Sequence, residues 1–244
     1  MKGLDEAAAR TFAAANEAHH RWTTRHRVVG LAEERLVAGA FAPVRGRVLD
    51  VGCGHGATLH HLGAPEGAVG LEPFEEKLEL ARREVPRCTF VAGSAYALPF
   101  EDGSFDEVLV RDVLHHLDRP AVAIREIARV LAPGGALKIL EPNRYNPLVL
   151  AHALTNAAER GELRSTARFL SRLVEREGFA VERLDRLSPL PVHRLVFHPE
   201  LGSPALAERA SARGAVAALE AVAESIVPRG LWAYIAIVAR TRPA

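Results

Sequence analysis

The residues best suited to chemistry form a glycine-rich loop, Asp50-Val51-Gly52-Cys53-Gly54-His55-Gly56, between a predicted strand at 47–51 and a predicted helix at 57–62. Glycines at alternate positions permit a tight turn and let a ligand approach the backbone closely. A second acid, Glu72, follows Gly52 by 20 residues, just past the next predicted strand, which is the spacing of an acid that holds a ribose. The two features together predict a nucleoside-binding site.

Asp50 distinguishes between the ligands that such a loop can take. A carboxylate at the start of the loop repels a diphosphate and attracts an ammonium group. S-adenosylmethionine has a sulfonium, an α-ammonium and a ribose diol without phosphate, so it satisfies both Asp50 and Glu72. Two alternatives stay open: Gly52-x-Gly54-x-x-Ala57 also fits the dinucleotide fingerprint loosely, and Asp50 could simply cap the turn.

Short apolar segments alternate with helical patterns from residue 47 onward, and this order predicts an α/β fold. Because crossover helices join parallel strands, we expect a Rossmann-like, doubly wound, seven-stranded, mostly parallel sheet with a helical N-terminal lid and helical insertions. Ligands of such sheets bind beyond the carboxyl ends of the strands. The predicted strands are 47–51, 68–71, 89–92, 105–110, 136–140, 179–187 and 232–239.

Length and composition indicate one globular domain of 244 residues with a formal net charge of +1. The near-neutral charge argues against nucleic acid as a partner, and the apolar segments are too short for an integral membrane segment. Two cysteines and no signal-like N-terminus favour the cytoplasm. We expect a lid at 1–40, a cofactor-binding core at 41–141, acceptor-side helices with the sixth strand at 142–230, and the last strand at 231–240. The sequence leaves open whether the chain forms a homodimer.

Four motifs from Arg47 to Pro142 resemble those of the class I S-adenosylmethionine-dependent methyltransferases. The most similar group is the bacterial small-molecule enzymes related to quinone-biosynthesis C-methyltransferases. This resemblance implies S-adenosylmethionine as cofactor and S-adenosylhomocysteine as product, and it says little about the acceptor. The motifs are DVGCGHG, LEPFEEKLELAR, AGSAYALPFEDGSFDEVLVRDVLHHLDRP and EIARVLAPGGALKILEP.

The resemblance also implies a set of cofactor contacts. The glycine loop and Arg111 would face the methionine end, Glu72 would accept both ribose hydroxyls, and Pro73 would follow beside the adenosine. Ser94 and Ala95 would meet the adenine edge, although such sequences usually have an aspartate at the position of Ser94 and a hydroxyl accepts more weakly. The expected cofactor residues are Asp50, Gly52, Cys53, Gly54, Glu72, Pro73, Ser94, Ala95 and Arg111.

In this family the acceptor attacks the methyl carbon in line with the leaving thioether, so holding the reactants aligned matters more than a nucleophilic side chain. His116 is the candidate general base, with a structural role as its alternative. Glu141, Tyr145, His20 and Trp22 are candidate contacts to a small, apolar or aromatic acceptor. A non-catalytic cofactor-binding module and a nicotinamide-dependent oxidoreductase are the alternative functions.

Adjacent histidines invite a metal hypothesis, but neighbours on a helix point about 100° apart and lack the i, i+4 spacing of a helical zinc pair. We therefore expect no metal. The adjacent pairs are His19-His20, His60-His61 and His115-His116.

Overall fold

The computed structural model describes residues 17–198 and 202–241. The strands are β1 (Val48–Val51), β2 (Val69–Glu72), β3 (Thr89–Ala92), β4 (Phe105–Arg111), β5 (Leu131–Pro142), β6 (Phe179–Leu187) and β7 (Tyr234–Thr241). The α-helices are α1 (residues 17–25), α2 (Val29–Phe41), α3 (Ala57–His61), α4 (Glu75–Glu84), α5 (Pro120–Val130), α6 (Pro147–Thr155), α7 (Ala167–Arg176), α8 (Val192–Val196) and α9 (Ala210–Ile226). Turns of 3₁₀-helix occur at Leu114–His116, Ala157–Arg164, Pro204–Glu208 and Arg229–Leu231.

The seven strands form one sheet in the order β3-β2-β1-β4-β5-β7-β6. Neighbours from β3 through β5 pair in parallel, and β7 lies antiparallel between β5 and β6. The strand order reverses between β1 and β4, where open α/β sheets bind their ligands. The expected seven-stranded, mostly parallel α/β sheet is confirmed.

Both faces of the sheet are covered, as the apolar central strands predict. Val108 and Val110 of β4 pack in a layer that includes Ile124 of α5. Leu109, between them, points to the other face and packs in a layer that includes Val37 of α2 and Leu78 of α4. Because each of these side chains is buried, each contributes roughly 1.5–3 kcal/mol of hydrophobic stabilisation. The two layers fix the carboxyl ends of β1 and β4 next to each other.

A third apolar cluster joins helices that do not belong to the β/α alternation. Trp22 of α1, Val29 of α2 and Val216 of α9 pack there with Phe197, which follows α8. The indole N–H of Trp22 donates a hydrogen bond of 2.9 Å to the backbone carbonyl of Phe197. We call α1 and α8, with the residues that pack between them, the roof. Of the segment predicted as a lid, residues 1–16 lie outside the described residues.

Over residues 17–198 and 202–241, none of the helices combines the length and the apolar character that crossing a membrane requires.

Candidate active site

A cavity of about 520 Å³ lies where β1 and β4 end, with the roof as one of its walls. Gly52, Cys53 and Gly54 line it from the glycine loop, and Arg111 lines it from the end of β4. Trp22 lines it from α1. Together with His116, six of the site residues expected from the sequence therefore meet around one space, at the point where the strand order reverses.

The glycine loop is shaped by close packing against the loop that follows β4. Gly52 has φ +75°, and a Cβ at this position would lie 2.4 Å from Cγ2 of Val113. Its N–H donates to the carbonyl of Leu71 at 2.7 Å, which ties the loop to β2. Gly54 has φ +53°, and a Cβ there would meet nothing within 4 Å. The loop is thus fixed at Gly52 and open toward a ligand at Gly54.

Glu72 ends β2 and is held against the same loop. Its Oε2 accepts a hydrogen bond of 3.1 Å from the N–H of Gly54. Its Oε1 lies 3.6 Å from the ammonium of Lys77, a residue of α4 that lines the cavity. An ionised carboxylate has about four acceptor sites, so these two contacts leave acceptor capacity for further hydroxyl groups.

Asp50 lies in the sheet beneath the loop, not in the cavity wall where the sequence placed it. The reason is its register: Asp50 pairs with Gly70 of β2 and Leu109 of β4, two residues before the loop turns at Gly52. Its side chain is buried, and its Oδ2 accepts no hydrogen bond. Burial, opposed by Arg111 and aided by nearby Glu72, raises the pKa of Asp50 to about 7.

Three charged side chains from distant segments meet beside the cavity. Glu33 of α2 is buried and makes a salt bridge with Arg111, and it accepts from Nε of Arg194 in α8 at 2.9 Å. Burial alone would raise the pKa of Glu33, but the positive charges of Arg194 and, to a lesser extent, Arg111 hold that pKa below its usual range. Two guanidinium groups that line the cavity thus share one carboxylate here, which leaves donors for an anionic ligand group.

Asp112 follows β4 and adds an acid to this part of the wall. It adopts φ +53° although it is not glycine, and its N–H donates to the carbonyl of Leu140 at 2.9 Å. Its Oδ2 lies 3.4 Å from Nε of Arg111. Burial raises the pKa of Asp112. Non-glycine residues held in the left-handed region cluster at binding sites, and this one turns the chain back under the cavity.

Glu141 positions the loop after β4. Contrary to the prediction from the sequence, it does not line the cavity. It is fully buried, and its Oε1 accepts from the N–H groups of Val113 and Leu114 at 2.8 Å each. Its Oε2 lies 2.7 Å from Nδ1 of His115, whose Nε2 lies 3.2 Å from Glu159. Burial opposes protonation of His115, but the hydrogen bonds to Glu141 and Glu159 raise its pKa to about 10. The imidazolium therefore links two carboxylates.

His116, the expected general base, does line the cavity. Burial and then the neighbouring His115 lower the pKa of His116, so its imidazole is neutral near pH 7. Burial also lowers the pKa of His19 to about 4 and that of His55 to about 3. His19 and His55 both line the cavity, so the cavity wall contains neutral imidazoles that can accept a proton. Arg111 is one of the side chains that give the wall positive charge.

The other expected residues lie apart from the cavity wall. His20 is fully buried with its Nδ1 3.0 Å from Nδ1 of His55, beneath the wall. Tyr145, a predicted acceptor contact, is 57% exposed, lies against Arg144 and does not line the cavity. Pro73 and Ser94 are exposed and Ala95 is half-buried, at the ends of β2 and β3.

Residues of the wall that the sequence did not single out come from three sources. Lys77 follows Glu72 within its motif, and Asp112 follows Arg111 directly, so both carried a local signal. His55 stands inside the glycine loop. Arg194 and Tyr234 come from α8 and β7. No local sequence signal pointed to them, because only the fold brings them close to β4.

Comparison with known families identifies the segment that carries these features. Residues 49–139 match the family described as "Methyltransferase domain". An uncharacterised methyltransferase of Schizosaccharomyces pombe is 41% identical over 103 residues, covering 36% of this chain and 37% of that protein. The demethylmenaquinone methyltransferase of Renibacterium salmoninarum is 39% identical over 109 residues, covering 44% of this chain and 46% of that protein. The chain thus spans less than half the length of either relative, and the expected family resemblance is confirmed over the matched segment.

Solved structures extend the similarity of fold to nearly the whole chain. A SAM-dependent methyltransferase of Thermotoga maritima superposes with a TM-score of 0.67 at 23% identity, covering 96% of this chain and 99% of that one. Phosphoethanolamine N-methyltransferase 2 of Haemonchus contortus, crystallised with S-adenosyl-L-methionine, superposes with a TM-score of 0.65 at 18% identity. It covers 98% of this chain and 59% of its own. At these identities the likeness concerns the fold.

Proposed function

We propose that this chain, which carries a methyltransferase domain over residues 49–139, binds S-adenosylmethionine and transfers its methyl group to a small, apolar or aromatic molecule. The observation that carries the proposal is the hydrogen bond between Glu72 and the N–H of Gly54, at the edge of a cavity that the glycine loop lines. This contact joins the ribose acceptor to the backbone that must approach the cofactor. Solved neighbours with this fold hold S-adenosylmethionine or S-adenosylhomocysteine.

The residues present fit this cofactor at both of its ends. Glu72 retains acceptor capacity for the ribose hydroxyls beside its contacts to Gly54 and Lys77. Asp50 has a buried oxygen without a hydrogen-bond partner, and a cationic group above the loop would stabilise its ionised form. Arg111 and Arg194 supply donors for the α-carboxylate of the methionine end. Pro73, Ser94 and Ala95 would then border the adenine.

When bound, S-adenosylmethionine would supply an activated methyl group, because its sulfonium can leave as a neutral thioether that keeps the electrons of the C–S bond when an acceptor lone pair takes the methyl carbon. The chain has to hold the acceptor in line and exclude water. Trp22 and Leu195 of the roof, with Val149 of α6, give the cavity apolar walls suited to that task. Where the acceptor atom carries a proton, His116 is the neutral imidazole in the wall that would take it.

The acceptor is proposed to be a small molecule because the cavity has the volume of a typical small-ligand site. Its wall combines apolar side chains with donors such as Arg194, which suits a largely apolar or aromatic molecule with an anionic or hydroxyl group. Both cysteines, Cys53 and Cys88, are free and buried, which supports the proposal of a reducing, cytoplasmic setting.

Ligand-dependent thermal unfolding tests the cofactor. S-adenosylmethionine and S-adenosylhomocysteine should each raise the melting temperature, because a ligand at 100 times its Kd adds about 2.7 kcal/mol to the native state. NAD at the same concentration serves as the control. Stabilisation by NAD alone would favour the oxidoreductase alternative and overturn the proposal.

Methyl transfer from labelled S-adenosylmethionine into a cell extract tests the reaction. We expect label in the small-molecule fraction. Label confined to RNA or protein would refute the acceptor class. Cofactor binding without label in any fraction would instead favour the non-catalytic module.

A further inference from the structure

One wall of the cavity carries a cluster of histidine and glutamate side chains that methyl transfer does not require. It is formed by α6 and by the 3₁₀ turns at Leu114–His116 and Ala157–Arg164. Two groups of three side chains there hold potential ligand atoms within 4.8 Å of one another, and Glu159 belongs to both. The groups are His115, His116 and Glu159, and His152, Glu159 and Glu162.

From the sequence we expect the side chains of adjacent histidines to point apart, but those of His115 and His116 lie close together. These two residues lie in a 3₁₀ turn, and their ring centroids are 4.0 Å apart. His115 is nevertheless not available as a metal ligand, because its two nitrogens already contact Glu141 and Glu159. The group formed by His152, Glu159 and Glu162 does not include His115, and the side chain of its His152 is 52% exposed.

Glu162 provides an independent indication of a cation site. It is only 7% exposed, its buried Oε2 accepts no hydrogen bond, and Nδ1 of His152 lies 3.5 Å from that oxygen. A buried carboxylate oxygen that accepts no hydrogen bond is costly, and a cation bound at this point would reduce the cost.

The separation of the donor atoms suits a metal ion. A Zn²⁺ ion about 2.1 Å from each of its ligands places those ligands roughly 3.0–3.4 Å apart. The 3.5 Å between Nδ1 of His152 and Oε2 of Glu162 is close to this range, and all three ligand atoms lie within 4.8 Å of one another. His152 is 52% exposed at its side chain, which leaves the outer side of the group open to an entering ion.

The surrounding residues hold Glu159 as supporting residues hold a metal ligand. His115 donates toward Glu159 and is itself held by the buried Glu141, and a carboxylate ligand in a metal site is commonly fixed by such a hydrogen bond. Gly161 makes the arrangement compact, since a Cβ there would lie 1.7 Å from the carbonyl oxygen of His115. The two 3₁₀ turns are therefore pressed together before any ion binds.

We propose that His152, Glu159 and Glu162 bind one divalent transition-metal ion of the Zn²⁺ type, with His115 as the positioning residue for Glu159. One imidazole and two carboxylates form a nitrogen and oxygen donor set of the kind that binds Zn²⁺. All three side chains line the cavity, so the remaining coordination positions face it. If the proposed methyl transfer holds, those positions would receive an oxygen or nitrogen of the acceptor and lower its proton affinity.

The test uses the tag-free full chain, stripped with a chelator and titrated with Zn²⁺ by calorimetry, and with Co²⁺ by visible absorption, in the absence of cofactor. We expect one ion per chain. H152A, E159Q and E162Q should each weaken binding by more than about tenfold. E220Q is the matched control, because Glu220 also contacts a histidine, His193, at 2.6 Å but belongs to neither group of three. It should bind the ion as the unmodified chain does.

Absence of a bound ion, or an affinity in H152A, E159Q and E162Q equal to that of the unmodified chain, would overturn the proposal and leave the cluster as an ion-pair network alone. Circular dichroism of each variant separates loss of binding from loss of fold, and exposed His152 makes H152A the variant least disturbing to the fold. Binding of S-adenosylhomocysteine is measured separately on the same samples. Binding of Zn²⁺ without binding of S-adenosylhomocysteine would support the metal site and refute the cofactor proposal. Binding of S-adenosylhomocysteine without binding of Zn²⁺ would support the cofactor proposal and refute the metal site.

Discussion

Replacing Asp50 by asparagine tests whether the buried acid of β1 faces the cationic end of the cofactor. Burial raises the pKa of Asp50 from 3.8 to about 7. This shift corresponds to a change of at most about 4 kcal/mol in the free energy of unfolding. The folded chain therefore binds more protons than the unfolded chain between these two pH values. By linkage, the Asp50 contribution to stability falls as pH rises from about 4 to about 7 and is constant above that.

Asparagine has no charge to bury, so the D50N chain should lack this component of the pH dependence. We expect D50N and the unmodified chain to unfold at similar urea concentrations at pH 4, and D50N to be more stable by up to about 4 kcal/mol at pH 8. The difference between the two curves isolates Asp50 from the other groups that titrate in this range. Equal curves at both pH values would show that Asp50 is not held in the buried, unpaired state described above.

Cofactor affinity should change in the opposite direction. A cation bound near Asp50 stabilises its carboxylate, so binding near pH 6 should release a proton from the unmodified chain and none from D50N. Calorimetry in two buffers of different ionisation enthalpy measures that proton. D50N should also bind S-adenosylmethionine more weakly at pH 8. If D50N binds S-adenosylmethionine with unchanged affinity and releases the same number of protons, the assignment of Asp50 to the methionine end is refuted.

Three further substitutions test the loop and the roof. E72Q should weaken S-adenosylmethionine binding about tenfold to a hundredfold by calorimetry, because charge-assisted hydrogen bonds contribute about 1.5–3 kcal/mol, whereas E75Q at an exposed position should not. G52A should lower the free energy of unfolding in urea by about 1–3 kcal/mol through contact with Val113, and V113A in the same chain should recover part of the loss; no recovery would contradict the contact. W22A should cost about 3–5 kcal/mol if the roof unfolds with the sheet, and a much smaller loss would show that the roof opens separately.

The fold could be predicted because its signals are local. Runs of apolar residues bounded by glycine located all seven strands, and the bounds of β3 and β6 agree with the prediction. The last strand lies at Tyr234–Thr241 and not at 232–239, since its ends are set by pairing with β5 and β6. Strand ends depend on partners that are distant in sequence, so the alternation of apolar residues does not determine them.

The backbone of the site could also be predicted, but several of its side chains could not. Gly52 and Gly54 follow a strand directly, and their place in the cavity depends only on that order. Asp50 lies deeper than the sequence indicated because β1 continues past it, which holds its side chain buried beneath the loop. Glu141 was misplaced for a similar reason: a position at the end of a strand does not show whether the side chain points to a cavity or back to a loop such as that at Val113.

The charge of the cavity depends on contacts that no short motif contains. Glu33, Arg111 and Arg194 come from α2, β4 and α8, and the ion pair between Glu33 and Arg194 exists only when the roof is packed on the rest of the fold. A buried carboxylate that loses one guanidinium retains the other, but one that loses both is left uncompensated at a cost of several kcal/mol. The roof and the sheet are therefore coupled through Glu33 as well as through the apolar contacts of Trp22, and the same arginines that stabilise this packing remain in the wall to meet a ligand.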